Sequence, residues 1–315
     1  MDDLIERYLG RVEDLKSDAT FDTFRQNLRQ FDRWLDQSGY EVGSIEPLEL
    51  EEHFIAMIGE DYAPNSISSR YAAISGLYSF LTDTLEALDE NPLDGLERSD
   101  YVEKGSKKHG NSDIIYVTAE EKEALCEHVP TPKLRNELII RLLWQTGVRK
   151  TELANIELDD LHREERSISI WSNKTKEWRS VFFQPSLDLL LDQWLDGGYR
   201  ASYKPAHSSP YLFVTERSER VYPDTINRKI VRPAAENADI QEVMYHDKGG
   251  NARYRITPHA LRHGHGVHAL KSGIDVRTVQ KHLGHTQLEM TMRYLQLVED
   301  DVREGYRRFN SAPAD

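Results

Sequence analysis

A polar segment without hydrophobic periodicity, residues 93–116, divides this chain into two parts with different patterns. It follows the helix breaker Asn91-Pro92 and contains several Gly and Ser residues, which is typical of a linker. The chain has 315 residues, more than a single hydrophobic core usually organises. We therefore predict two domains, residues 1–92 and 117–315, joined by residues 93–116.

The first ninety residues have the spacing of a helical bundle. In the stretch FDTFRQNLRQFDRWLDQSG, apolar residues recur every three or four positions until Gly39, a typical helix end. A second amphipathic stretch follows Pro47, a third covers residues 65–88, and residues 2–15 form an opening helix. The pattern predicts a small bundle of about four helices.

The second part combines helices with one hairpin. Thr118 followed by Glu121 is a helix-capping signal, and LRNELIIRLLWQTG is apolar on nearly every side, which predicts a buried central helix ending at Gly147. SISIWSNKTKEWRSVFF alternates on both sides of a polar turn and predicts a β-hairpin. The whole chain is therefore predicted to be mainly α, with a small antiparallel sheet in the C-terminal domain.

The charges are divided as unevenly as the hydrophobic pattern. The formal net charge is −14; residues 1–105 carry 24 acidic against 9 basic side chains, whereas residues 106–315 carry 30 against 31. The second part thus remains suited to nucleic acid, which requires Lys and Arg for its phosphates. Arg outnumbers Lys by 26 to 14. This preference and the acidic surface favour a protein from a salt-adapted, halophilic archaeon.

Composition excludes several classes of protein. No apolar run approaches the roughly 18 residues of a membrane-spanning helix, and the acidic start MDDLIERYLG lacks the features of a secretory signal. The single cysteine, Cys126, cannot form an internal disulfide or a multi-cysteine zinc site, and its spacing predicts a buried side chain. We expect a cytoplasmic protein without a membrane partner.

Four short stretches of the second part concentrate cationic side chains. Arg149 follows the glycine that ends the predicted buried helix, and Lys174 lies in the turn of the predicted hairpin. In TPHALRHGHG three residues at i, i+3 and i+4 share one helical face, and a further histidine follows in HLGH. These four residues are His259, Arg262, His263 and His285. Such a cluster, with Glu152 as the acid in its motifs, favours a phosphate ligand.

The chemistry of phosphoryl transfer assigns a role to each residue type. Guanidinium groups bind phosphate oxygens and would stabilise the added charge of a pentacovalent transition state. A histidine can accept the proton of an attacking hydroxyl, and a lysine can protonate the leaving alkoxide. Tyr294, nine residues after His285, supplies a nucleophile that would form a covalent phosphotyrosine. The alternative is an aromatic side chain that packs on Leu295 or Leu297.

The stretches TGVRKTEL, NKTKEWR, HALRH, and LGH with its following tyrosine resemble those of the tyrosine recombinase (phage integrase) family in order and approximate spacing. The resemblance covers residues 145–297, and residues 1–92 are similar in size and position to the family's helical, SAM-like core-binding domain. It implies an α+β catalytic domain in residues 117–315. The implied function is a site-specific recombinase that cuts one DNA strand at a time, forms a 3′-phosphotyrosine and passes through a four-way junction.

The resemblance also implies how the phosphate is held. Arg149 and Arg262 correspond to the family's phosphate clamps, and His285 to a further phosphate ligand. Glu152 matches an acidic position that supports the arginine and histidine network. His263 matches a common family residue with a less defined supporting role.

The reacting groups follow from the same resemblance. Tyr294 is the implied nucleophile and His259 the histidine that handles the proton. Lys174 is the implied general acid, and Lys176 remains its rival, although the spacing to Arg179 favours Lys174.

Double-stranded DNA, bound at specific sites, is the implied partner. The family's N-terminal domain clamps DNA with a basic face; if this acidic domain does so, arginines such as Arg25, Arg29 and Arg70 would have to line one face. The cluster KGSKKHG supplies Lys107 and Lys108, which lie either along a phosphate backbone or in a solvated linker. We expect homo-tetramers on DNA, with the C-terminal tail, residues 298–315, packed on a neighbouring subunit, and monomers without DNA. The need for a partner recombinase stays open.

Three alternative functions are each compatible with part of the sequence. His259, His263, His265 and His268 lie close together as in a metal hydrolase, but Arg262 between them would repel a cation, so we expect no metal and no cofactor. A type IB topoisomerase would relax supercoiled DNA regardless of sequence. A catalytically silent DNA-binding relative would have no reason to keep all six residues of the set.

Overall fold

The computed structural model describes residues 1–102, 114–172, 176–247, 250–295 and 297–298. The chain divides into two compact units, residues 1–112 and 113–315. Across the described ranges, no helix is both long enough and apolar enough to span a membrane.

The first unit is a helical bundle, as predicted. Its helices are α1 (Asp3–Leu15), α2 (Asp18–Ser38), α3 (Pro47–Gly59), α4 (Pro64–Asp83) and the short α5 (Arg98–Tyr101). The Ser17 side chain caps α2, and Gly39, with φ 75°, ends it. The apolar stripe of α2 is confirmed as core, because Leu28, Phe31 and Leu35 are buried against α1, α3 and α4.

The start of the segment predicted as a linker belongs to this core. Leu93 and Tyr101 are buried, and Leu96 and Val102 pack against the same cluster. The Tyr101 ring stacks on Phe54 with centroids 5.0 Å apart. The boundary predicted at residue 92 is therefore too early, because a few apolar side chains in a polar sequence suffice to attach residues 93–102 to the bundle.

The second unit is also mainly helical. Its helices are α6 (Ala119–Glu127), α7 (Lys133–Thr146), α8 (Lys150–Ala154), α9 (Asp188–Leu195), α10 (Pro223–Thr225), α11 (Arg232–Asn237), α12 (Pro258–Lys271) and α13 (Val276–Leu283). A π-helical segment, Ile226–Val231, joins α10 to α11, and residues 289–295 are helical as well. The predicted cap of α6 is confirmed, since Thr118 Oγ1 accepts a hydrogen bond from the Glu121 backbone and the Glu121 carboxylate accepts one from Thr118 N.

Two small antiparallel sheets accompany these helices. The first has the order β1 (Leu161–His162), β2 (Ser167–Ser172), β3 (Glu177–Phe182), and the second pairs β4 (Val243–His246) with β5 (Ala252–Tyr254). The β2–β3 pair is the predicted hairpin, with Ile170 opposite Arg179 and Trp171 opposite Trp178. The predicted fold class, mainly α with a small antiparallel component, is confirmed.

The predicted central helix, α7, lies in the core of the second unit. It packs against α6, α9 and α12, and its side chains Leu138, Ile139 and Leu142 are fully buried. Cys126 is buried in the same core, as its spacing predicts. A smaller apolar cluster, which includes Val267, Leu283 and Tyr294, lies where α12, α13 and helical residues 289–295 meet.

Candidate active site

A glycine turn at the end of α7 brings Arg149 to the site. Gly147 ends α7 with φ 60°, a conformation that favours glycine, and Arg149 is the N-cap of α8. A Cβ on Gly147 would lie 2.6 Å from the Leu283 side chain and 2.7 Å from the His265 ring. The turn therefore packs directly on α12 and α13, which makes the position of Arg149 dependent on both helices.

Three successive carbonyl groups at the end of α13 each accept a hydrogen bond from a different arginine. His282 O accepts from Arg179 Nε at 3.0 Å, Leu283 O from Arg262 Nη2 at 2.6 Å, and Gly284 O from Arg149 Nη2 at 3.4 Å. The last carbonyls of a helix lack intrahelical partners and carry partial negative charge. The end of α13 thus gathers three guanidinium groups.

Glu152 faces the same three arginines. Its carboxylate accepts two hydrogen bonds from Arg179, at 3.0 and 2.8 Å, and one from Arg149 Nη1 at 3.0 Å; Arg262 Nη1 lies 3.9 Å away. Burial raises the pKa of the Glu152 carboxyl, but the bonds and charges of Arg179 and Arg149 more than offset this and lower it below its ordinary value. One carboxylate faces three guanidinium groups, and this imbalance favours an anionic ligand.

Arg262 is the most deeply buried of the three, with 1% of its surface exposed. Its second bond, from Nη1, goes to Gly147 O at 2.6 Å. In the part of the chain that the structure describes, its Nε has no hydrogen-bond partner. Burial, and then the charge of Arg149, lower the pKa of Arg262 to about 9, so the group stays charged at neutral pH.

His285 enters the site one residue after the glycine that ends α13. Gly284 has φ 66°, and a Cβ there would meet the Arg179 guanidinium at 3.2 Å. The His285 ring is buried, and its Nδ1 lies 2.8 Å from the Thr291 hydroxyl. Burial, followed by the charge of Arg262, lowers the pKa of His285 to about 3, so the imidazole is neutral at pH 7.

Tyr294 is buried in the apolar cluster where α12 and α13 meet, with 1% of its surface exposed. Its hydroxyl lies 2.6 Å from His263 Nδ1, and its ring lies against Gly266, where a Cβ would come within 2.7 Å. Burial raises the pKa of the Tyr294 phenol, although the charge of Arg262 opposes this rise. The alternative to a nucleophile was an aromatic side chain that packs in the core. The Tyr294 ring does pack in the apolar cluster of α12 and α13, but its hydroxyl contacts His263.

Two histidines of α12 lie side by side. The His259 and His263 rings are 4.2 Å apart in an edge-to-face arrangement, and His259 is exposed. Burial, followed by the charge of His259, lowers the pKa of His263 to about 3. Local desolvation, followed by the charge of Arg262, lowers the pKa of His259. The histidine in contact with the Tyr294 hydroxyl is His263, not His259, to which the resemblance assigns the proton.

The lysines of the predicted set lie mostly outside the described residues. This applies to Lys174, Lys107 and Lys108. Lys176 is described and exposed; its φ is 57°, and its backbone N–H donates to Ser172 O at 2.8 Å. The choice between Lys174 and Lys176 stays a prediction.

The arginines proposed for DNA contact in the first unit differ in exposure. Arg29 is exposed, and Arg25 pairs with Asp22 at 2.6 Å. Arg70, in contrast, is 5% exposed and donates to Asn27 Oδ1 at 3.0 Å inside the bundle. The expectation that Arg70 lines an exposed face is therefore wrong, because α4 turns this position toward α2.

Sequence reasoning missed two contributors to the site. Arg179 donates hydrogen bonds to Glu152 and to a carbonyl at the end of α13. The sequence feature that could have identified it is a charged residue opposite the buried Ile170 in a strand of alternating pattern. His282 stands in the HLGH stretch, whose pattern predicts no separate role for it, yet its Nε2 lies 2.9 Å from Thr146 O. Among the residues described, no group of three or more potential ligands is placed to hold a metal ion.

Comparison with known proteins gives a consistent result. The phage integrase family matches residues 116–300, more than half of the chain. Tyrosine recombinase XerA of Pyrococcus furiosus is 30% identical over 197 residues, which are 62% of this chain and 61% of that protein. Tyrosine recombinase XerC of Staphylococcus saprophyticus is 27% identical over 304 residues, which are 95% of this chain and 93% of that protein.

Solved structures show the same likeness. The crystal structure of XerA recombinase matches with a TM-score of 0.51 and 25% identity, and covers 100% of both chains. The structure of the XerH site-specific recombinase bound to a palindromic difH substrate matches with a TM-score of 0.69 at 18% identity, over 92% of this chain and 80% of that chain. The chain therefore belongs to the phage integrase family, and its relatives named here are tyrosine recombinases.

Proposed function

We propose that the chain is a site-specific DNA recombinase that cuts and rejoins DNA strands through a 3′-phosphotyrosine at Tyr294. Membership of the phage integrase family and the Xer recombinase relatives support this function. The observation that carries it is the convergence of Tyr294, a histidine pair and a guanidinium cluster at one place in the second unit.

The arginines supply the binding site for the scissile phosphate. Arg149 is about one-third exposed and reaches solvent, whereas Arg262 is buried and its Nε has no hydrogen-bond partner among the described residues. A phosphate oxygen on this pair would balance the excess positive charge around Glu152. The same groups would stabilise the additional charge of the pentacovalent transition state.

The cleavage step forms one bond and breaks one. The phenolic oxygen of Tyr294 attacks phosphorus, and the bond from phosphorus to the 5′ oxygen of the next nucleotide breaks. Neutral His263, 2.6 Å from the hydroxyl, accepts its hydrogen bond and is placed to take the proton, because the negative charge of a bound phosphodiester would offset the effects that lower the pKa of this imidazole. Lys174 protonates the departing 5′ oxygen, and His259 and His285 contact the phosphate oxygens. Rejoining is the reverse reaction with the 5′ hydroxyl of a partner strand.

The partner in this proposal is double-stranded DNA with specific sites. The XerH structures are described as bound to difH substrate, which supports a DNA partner here. Four subunits would assemble on two sites, each receiving the C-terminal tail of a neighbour, and the chain would be monomeric without DNA. The bundle of residues 1–102 would act as the core-binding domain, with its Arg25 and Arg29 near the DNA backbone, and Lys107 and Lys108 would follow the backbone after it.

Salt adaptation is part of the proposal. The excess acid in residues 1–105 and the preference for Arg over Lys support a protein that stays soluble in concentrated salt in a halophile's cytoplasm. The phosphate contacts of ordinary DNA-binding proteins weaken steeply as the salt concentration rises. A protein adapted to concentrated salt should instead keep its affinity for its DNA site at salt concentrations that abolish ordinary non-specific binding. Affinity measured over a KCl series tests this; a steep loss with salt would contradict it.

The test is a covalent adduct. A nicked DNA site, which lets the 5′ end diffuse away, should trap the protein in a complex that survives denaturation. Tyr294→Phe should abolish the adduct and retain DNA binding, whereas the control Tyr306→Phe should leave the adduct intact. An adduct that persists in Tyr294→Phe, or relaxation of supercoiled DNA without paired sites, would contradict the proposal.

A further inference from the structure

The end of α7 depends on side chains from two other helices. The Trp144 carbonyl lies 2.8 Å from His265 Nδ1, the Thr146 carbonyl 2.9 Å from His282 Nε2, and the Gly147 carbonyl accepts from Arg262. These groups lie in the last turn of α7, where carbonyls lack intrahelical partners. Since a carbonyl only accepts, each ring nitrogen must carry the proton, which fixes the tautomer of both imidazoles.

The two imidazoles also stack on each other. His265 belongs to α12 and His282 to α13, and their rings lie 4.9 Å apart with an 18° angle between planes. The His265 ring also touches the position where a Gly147 Cβ would be. The stacked pair therefore fixes α12, α13 and the turn of α7 at one point.

This point lies at the base of the arginine cluster. His282 is the first of the three residues whose carbonyls accept from Arg179, Arg262 and Arg149. The His282 ring also bonds Thr146 O at the end of α7, and Arg149 follows Thr146 by three residues. A shift of α13 relative to α7 would therefore change the distance between Arg149 and Arg262.

We propose that the stacked pair His265–His282 is a positioning device that sets the spacing of the phosphate-binding arginines. The inference rests on the proposed function, because the arginines must hold a phosphate for their spacing to affect a rate. Neither imidazole touches the reacting atoms, so both act through Arg149 and Arg262.

The neutral state of the pair agrees with this role. Burial, followed by the charge of His282, lowers the pKa of His265 to about 3. Burial also lowers the pKa of His282, and its bond to Thr146 O opposes this. Both rings line a cavity of about 640 Å³ together with Trp144, Phe182 and Val279. A substitution there therefore leaves room for side chains to adjust.

Replacing His282 by residues with and without a donor tests the device. His282→Leu keeps an apolar side chain but removes the donor to Thr146 O, whereas His282→Gln retains an N–H at similar reach. We expect His282→Leu to slow adduct formation at saturating protein by about 10²-fold, the loss expected for a misplacement of about 1 Å. DNA affinity should be unchanged, and His282→Gln should cleave near the wild-type rate.

The matched control is His268→Leu. His268 lines the same cavity and is exposed, with its ring 5.9 Å from Trp144, and this variant should cleave as the wild type does. A wild-type rate in His282→Leu, or an equal loss in His282→Gln, would overturn the proposal. Absence of any adduct in the wild type would instead refute the proposed function.

A second measurement does not depend on a variant that folds. In nitrogen-15 NMR spectra of the wild-type protein, His265 should carry its proton on Nδ1 and His282 on Nε2 at pH 7. The opposite tautomer at either residue would show that the bond to α7 is not formed, and would overturn the proposal.

Discussion

Arg70 in the first unit and Arg262 in the second are both buried, and burial lowers the pKa of both. Arg70 donates to the neutral amide oxygens of Asn27 and Gln30 and contacts His53 at 3.4 Å. Arg262 instead bonds two backbone carbonyls and shares Glu152 with two further arginines. A single buried guanidinium can have its donors satisfied by neutral amide oxygens, whereas several like charges placed together are costly without an anion. The surroundings of a buried arginine, not its burial, distinguish a structural site from a phosphate site.

The largest expected effect compares the same substitution at both positions. Arg262→Lys replaces a planar fork by a point charge, and we expect cleavage to slow by about 10²–10³-fold while DNA affinity changes little. Arg70→Lys should leave the cleavage rate of the folded protein unchanged. Single-turnover adduct formation measures both, and a similar loss in the two variants would remove the distinction.

The second prediction concerns stability of the first unit. Arg70→Met removes the donor to Asn27 and Gln30, and because these two amides are only half-buried, each orphaned oxygen should cost about 1 kcal/mol, the low end of the range for a buried group. We therefore expect the free energy of unfolding to fall by about 2 kcal/mol, with normal adduct formation below the melting temperature. Denaturant titration tests the first part; an unchanged midpoint would show that the amides find other partners.

The third prediction is a difference in acid sensitivity. Burial lowers the pKa to about 3 for one histidine of the first unit and, among the described residues, for three of the second; these are His53, His263, His265 and His285. The unfolded chain binds these protons below pH 6.5 and the folded chain does not. Their contribution to stability is therefore complete above pH 6.5 and decreases as pH falls toward 3, by up to about 1.4 kcal/mol per histidine and pH unit.

The second unit should accordingly lose stability faster between pH 6.5 and 5. Hydrogen exchange followed by mass spectrometry separates the units by peptide and measures this directly. Equal loss of protection in both units over that range would contradict the prediction.

The smallest effect uses two helical glycines. A Cβ added to Gly10 in α1 would meet no atom of the described residues within 4 Å, so Gly10→Ala should stabilise the chain by about 0.5–1 kcal/mol. Gly266 lies against the Tyr294 ring, so Gly266→Ala should displace that ring and destabilise the fold. Thermal unfolding of both variants tests this, and a stabilising Gly266→Ala would show that Tyr294 is not held in place by this contact.

The sequence predicts the helices and strands better than the contacts between them. Helices and the hairpin follow from apolar spacing and from end signals such as Gly39 and Gly147, and these are local. Arg149 is predicted because it follows the glycine that ends a helix, and Arg262 because it shares one helical face with two histidines. The acceptors that hold them are backbone carbonyls of residues 282–284, which any sequence would supply, so their role is visible only in the fold.

Arg70 is a different case, because the sequence itself contains the signal that this side chain is buried. It lies three residues after Ile67 and four before Ile74, so its spacing already places it on the buried face of α4. The residue type suggested a surface charge, and the spacing was the stronger signal, because nearby Asn27 and Gln30 supply the acceptors that make burial tolerable.

The central claim is that Tyr294 carries the DNA. Digestion of the trapped adduct with trypsin and mass spectrometry of the nucleotide-linked peptide should find the added mass on residues 294–303, at the tyrosine. The same mass on the peptide that contains Tyr306, or on any other residue, would contradict the account.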